Sequence, residues 1–364
     1  MSAPFTYTLF HEALTDLMAP TTPFTGIQKL LDIIQSSTYH NTKKYLRTFT
    51  AACLELGVID LLVRSLEYSP DEIRSIRKKE TFSVFILLTD TSEGRTALLT
   101  NPSVIATLCS AIRPGQPIKV VRSALWLLGR LAIKGRATVD LLVEHGVFAR
   151  LCWYTAEVFG GVVQVHVEVL EALMSTVNKF AGVYPLLPYD VLAPMVPPLD
   201  LALRNIPRTQ GYDNVLQNTL LSLSHIFSNN YDYVRFDDLV YGGENSIFHN
   251  AIKRMFVDDT NSSPVVGLIQ SVGALSEGIP ELAFTPFVLG HMHRFALSVD
   301  FDECPHDFQT IVSTMSNLMN KSPEMLFRVI ASNVLHALIS RAPVRMYHGV
   351  VSMLEVATIN VDND

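Results

Sequence analysis

The sequence repeats itself at long range, and this constrains its fold more than any local motif. The segments GVIDLLVRSLE, PSVIATLCSAI and GVFARLCWYTA begin at Gly57, Pro102 and Gly146, 45 and 44 residues apart. A second kind of segment, of which VVRSALWLLGRLAIKG and VEVLEALMSTVNKFAG are examples, occurs six times. Aligned on Phe82, Trp126, Ala172, Leu221, Gln270 and Ser313, these six are spaced 44, 46, 49, 49 and 43 residues apart. Inside them, apolar residues return every three or four positions, as at Leu125, Leu128, Leu131 and Ala132, which is the periodicity of an amphipathic helix. Two or three such helices leave an apolar face open until the next copy stacks on it. The period therefore predicts an all-α, right-handed superhelical solenoid of about seven units over residues 27–356. Residues 1–26 are expected to be a tail or cap, and 357–364 a frayed end.

Glycine and proline fall between the helical runs, at Gly57, Pro102, Pro114, Gly135 and Gly146, where turns and helix ends want them. His145, just before Gly146, reads as a C-terminal capping residue. PLLPYDVLAPMVPPLDLALR, residues 185–204, places prolines inside an apolar run and predicts a loop followed by a broken or kinked helix, because proline lacks an amide donor.

Composition narrows the function classes. With 48% hydrophobic and 17% charged residues the chain has ample material for burial. Its 28 Lys and Arg against 35 Asp and Glu give a net charge of -7, which opposes general attraction to nucleic acid or anionic lipid. Cys53, Cys109, Cys152 and Cys304 have neither CxxC nor metal-ligand spacing and read as reduced thiols in apolar surroundings. The sequence has neither a secretory signal pattern nor a long uninterrupted apolar run, so a soluble protein of a reducing compartment is expected, with no membrane partner.

No catalytic constellation emerges. GxSxG, GxxxxGK[ST], HExxH and GxGxxG are all missing, and neither an enzyme nor a cofactor is expected. His291 and His293 stand two apart, which on a helix directs them to different sides, so no metal site is expected there. Asp237 and Asp238, and Asp300, Asp302 and Glu303, read as solvated loop carboxylates. RSIRKKE at 74–80 and the pair Lys43 and Lys44 read as charged helix faces, lacking the aromatic residues of a nucleic-acid platform. Tyr212, Tyr231 and Tyr233 either form an aromatic peptide-binding patch or pack loops at helix ends.

VVRSALWLLGRLAIKGRATVDLLVEHGVFARL resembles an armadillo repeat of the importin-α family, and weaker likeness extends over roughly residues 27–345, through NVLQNTLLSLSHIF and TMSNLMNKSPEMLFRVIASNVLHALI. The resemblance implies a divergent, shortened nuclear import adaptor, found in cytoplasm and nucleus, that holds extended basic localisation signals in a concave groove. In that family each repeat's third helix carries a tryptophan four residues before an asparagine: indoles wall the slots for lysine stems, and the amide holds the peptide backbone. Carried over residue by residue, the tryptophan position matches at Trp126 alone and the asparagine position at Asn317 alone. Trp126, Asn317, Phe82 as a weaker stacking surface, and Arg130 are thus the expected groove residues. Arg130 puts a fixed cation one turn from Trp126, where a lysine-rich peptide would lie and where a guanidinium could itself cover the indole. The family's basic importin-β-binding segment has no counterpart, because the first 40 residues contain one Lys, Lys29, and no Arg. Importin-β is therefore not expected as a partner. An armadillo scaffold that has lost recognition of nuclear signals is the alternative.

Overall fold

In the computed structural model, the described residues are chiefly 7–19, 23–35, 42–67, 71–207, 211–227 and 284–343, apart from a few single positions. Among them are helices and no strand. They divide into two units, residues 1–187 and 188–364.

The first unit contains α1 (Tyr7–Met18), α2 (Pro23–Gln35), α3 (Thr42–Glu55), α4 (Val58–Glu67), α5 (Asp71–Leu88) and α6 (Ser92–Leu99). It continues through α7 (Pro102–Ala111), α8 (Ile118–Ala132), α9 (Arg136–Glu144), α10 (Val147–Phe159) and α11 (Val167–Ala181). Helices three apart in the chain pack side by side in three ladders: α2, α5, α8 and α11; α3, α6 and α9; α1, α4, α7 and α10. Each structural repeat is therefore a trio, such as α6–α7–α8. In the later trios the first helix is the least conspicuous in sequence, because α6 and α9 span only 8 and 9 residues. Residues 7–18, placed in the expected tail or cap, form a packed helix burying Phe10, Ala13, Leu14 and Leu17.

The corners explain why these residues make this repeat. Gly57, Gly146 and Asn333 all sit in the left-handed region, with φ of 62, 76 and 60°, immediately before the second helix of a trio. Glycine reaches this conformation freely and asparagine tolerates it best among the side-chain-bearing residues. His145 ends α9 through its backbone, whose N–H donates to Leu141 O at 3.0 Å. At α7, which begins with Pro102, the Asn101 side chain accepts from the N–H groups of Ser103 and Val104. Its Nδ2 donates to Asp60 on α4 at 2.7 Å. Thr91 caps α6 in the same double fashion, accepting from Gly94 N and donating to Thr50 on α3 at 3.1 Å. Gly94 is required there, since a Cβ would lie 2.3 Å from Leu88 O.

In the second unit, residues 188–205 form the broken helix expected from the prolines: α12 (Tyr189–Leu192), one 3-10 turn over Ala193–Met195, and α13 (Val196–Asn205). Packed with them is α14 (Asp213–Phe227). Further along, α15 (Pro286–Ser298), α16 (Pro305–Lys321), α17 (Pro323–Ala331) and α18 (Val334–Arg341) pack together, again with helices three apart in contact, α15 on α18. Gln270, Tyr231, Tyr233, Asp237, Asp238 and Cys304 lie outside the described residues.

Candidate functional site

The third-helix ladder of the first unit presents an open face. Along α8, residues Ile118, Arg122, Trp126 and Arg130 follow one another at four-residue spacing, the outward stripe of a helix whose other side buries Leu125, Leu128 and Leu131. Trp126 is 55% exposed and Ile133, two turns on, is 56% exposed. A large apolar ring so far out of the core contributes less to packing than it offers to a partner.

The two arginines flanking Trp126 tie α8 to its neighbours in opposite directions. Arg122 pairs with Glu168 at the start of α11, and Arg130 with Asp90 just beyond α5. Arg130 therefore reaches across to the neighbouring repeat instead of lying over the indole. Between the ties, α11 approaches closely because Gly129 has no side chain: a Cβ there would meet Lys179 and Thr176 at 3.2 and 3.3 Å. The Thr176 hydroxyl donates to Leu125 O at 2.8 Å, so the family's asparagine position in this repeat holds a buried bridge between helices. Lys179 faces the same seam, and burial, then the charge of Arg130, hold its pKa below the ordinary range.

Phe82 does not belong to this face. It is fully buried, together with Thr81, Val84, Phe85 and Leu88, whereas the neighbouring Ser83 is half-exposed, as are Lys79, Glu80, Ile86 and Leu87 on the same helix. Loop lengths vary between repeats, so a constant sequence spacing slips by one residue, and one residue on a helix is about 100°. The Phe82/Phe85 pair, three apart and both aromatic, is the sequence signal for an inward stripe. Asn317 is exposed on α16 with Ser313 and Asn320, while Ile311, Met315 and Leu318 are buried. It belongs to the second unit, and Trp126 to the first.

The sequence reading missed a cleft at the N-terminal ends of α8 and α11. It encloses about 820 Å³, lined by Ile76 and Lys79 from α5, Ile118 and Val121 from α8, and Val169 from α11, with Tyr154 of α10 also on its wall. Its parts come from segments some 45 residues apart, and only the stacking of repeats brings them together.

Reactive chemistry is not concentrated here. Burial pushes the Cys152 thiol up to about 12 and raises that of Cys53 further. Among the described residues there is no group of three side chains suited to a metal, and no helix long and apolar enough to cross a membrane.

These ladders define an α-solenoid of the armadillo type, and solved structures agree. A computationally designed armadillo repeat protein for modular peptide recognition superposes with a TM-score of 0.50 at 14% identity, over 69% of this chain and 99% of its own. An engineered protein matches over 96% of this chain and 95% of its own, with a TM-score of 0.51 and 13% identity. At such identities the likeness establishes the fold. No protein-family model and no curated protein sequence matches the chain.

Proposed function

We propose that the protein is a non-enzymatic adaptor that binds an extended peptide segment of a partner protein across the face of α5, α8 and α11. The observation that carries this reading is Trp126, held outward at 55% exposure on the third-helix ladder by core packing on the opposite side of α8. An indole offers a large rigid contact surface at low entropic cost. The designed armadillo neighbour made for modular peptide recognition is consistent with this use of the fold.

Two finer readings follow from the same face. A nuclear import receptor, as the importin-α resemblance suggests, would place lysines of a basic signal beside Trp126. A scaffold with another partner would not. Arg122 and Arg130, which flank the indole, already engage Glu168 and Asp90, the acids a lysine beside Trp126 would otherwise pair with, and this favours the scaffold. Selection of peptides from a displayed random library against the full chain tests the adaptor reading. Bound peptides should lose at least tenfold in affinity on Trp126→Ala, with the helical signal retained. Unchanged affinities would remove this face from the function, and enrichment of lysine-rich sequences would restore the import reading.

A further inference from the structure

The cleft at the N-terminal ends of α8 and α11 is both apolar and cationic, in a chain whose net charge is -7. Its apolar part is Ile76, Ile118, Val121 and Val169, and the first two are 51% and 46% exposed at the mouth. Three cations line it, Lys79, Arg113 and Lys119, and Arg122 lines the smaller hollow beside it. Two acids reduce that charge. Glu80 pairs with Lys79 at 2.9 Å, and Glu168 pairs with Arg122. Arg113 and Lys119 keep their charge uncompensated, since neither forms an ion pair with a described residue.

Two further features aim the same sign of potential into this space. Pro117 starts the 15-residue helix α8 without a side-chain cap, leaving the positive end of its dipole facing the cleft. Tyr154 is 1% exposed and lines the cleft. Burial pushes its pKa up to about 12, so at neutral pH it is a phenol able to donate. A volume of about 820 Å³ is in the range that holds a compact ligand or a few side chains.

We infer that this cleft is the anchoring subsite for an acidic peptide segment, one that inserts an apolar side chain between Ile76, Ile118 and Val169 and sets carboxylates against Arg113 and Lys119. The inference rests on the adaptor reading and specifies its partner. Arg122 and Trp126 continue the stripe from Ile118, about 12 Å along α8, so one extended segment can fill the cleft and reach the indole. A lysine-rich segment would meet the surplus positive charge instead.

The test uses the full chain and fluorescence anisotropy with three labelled 12-residue peptides: one Asp/Glu-rich with a central Leu, its Asn/Gln counterpart, and its Lys counterpart. The acidic peptide should bind at least tenfold more tightly than the other two and weaken as salt rises. Arg113→Glu with Lys119→Glu, both exposed positions, should abolish that preference while circular dichroism and Tm stay unchanged. Replacing the central Leu by Ser should cost a further several-fold. Equal binding of the Leu and Ser peptides, or equal competition by polyphosphate, would reduce the cleft to a general anion surface and overturn the proposal. If acidic peptides fail while library-selected peptides still depend on Trp126, the inference alone falls. If no peptide of any composition binds, the adaptor reading falls with it.

Discussion

The register of α5 can be tested by two substitutions one residue apart. Phe82 is fully buried, so Phe82→Ala removes most of an aromatic ring from the core and leaves a cavity, at a cost of about 3 to 5 kcal/mol. Ser83 is half-exposed, and its hydroxyl bonds only Lys79 O in its own helix at 3.1 Å. Ser83→Trp should therefore change stability by about 1 kcal/mol or less, as expected for a surface position. Urea unfolding followed by far-UV circular dichroism reads both, with the midpoint compared at constant slope. A native-like midpoint for Phe82→Ala, or collapse on Ser83→Trp, would refute the assignment of inward and outward stripes on α5. It would also return Phe82 to the candidate face.

Other expectations follow from features already described. Gly146→Ala, which forces φ of 76° on a residue with a Cβ, should lower stability by about 1 to 2 kcal/mol, whereas Asn333→Gly should be nearly neutral; thermal melts decide. Gly94→Ala should be worse than Gly146→Ala, since its new methyl would meet the Leu88 carbonyl and the backbone must move. Cys53 and Cys152 should resist a thiol reagent in the native state and react on unfolding, while half-buried Cys109 reacts first. The pH dependence has a definite sign: the folded Cys152 thiol ionises near 12 against an ordinary 9.0, so its contribution is complete below about pH 9 and is lost as pH rises toward 12. Equilibrium unfolding between pH 8 and 11 should show that decline, and Cys152→Ala should make it shallower, with Cys53 and Tyr154, both also raised by burial, supplying the rest.

Much of this architecture is legible in the sequence because burial and periodicity are local signals. Leu125, Leu128 and Leu131 mark an inward stripe whatever the neighbouring repeats do, and Trp126 among them stands outward by its position alone. Pro194, Pro197 and Pro198 announce the break between α12 and α13 in the same way. First helices as short as α6 and α9 carry too few turns to declare a period. The α5 register fails for a related reason: a spacing of 44 residues includes loops, and helical phase is not conserved across them. What the sequence could not display is the pairing of groups far apart along the chain. Asp90 meets Arg130, Arg122 meets Glu168, and Ile76 shares a cleft with Val169 only after three repeats have stacked. The cations at 113 and 119 read as scattered surface charge until that stacking gathers them.

The double duty of the two N-caps gives the fold a direction. Thr91 organises the first turn of α6 while bonded to Thr50, and Asn101 does so for α7 while bonded to Asp60; each partner lies in the preceding repeat. A repeat leaving the ribosome would thus find the groups that steady its opening turns already synthesised and in place. Growth from the N-terminal side is guided at each step, whereas a repeat started from its C-terminal neighbour would lack that guidance.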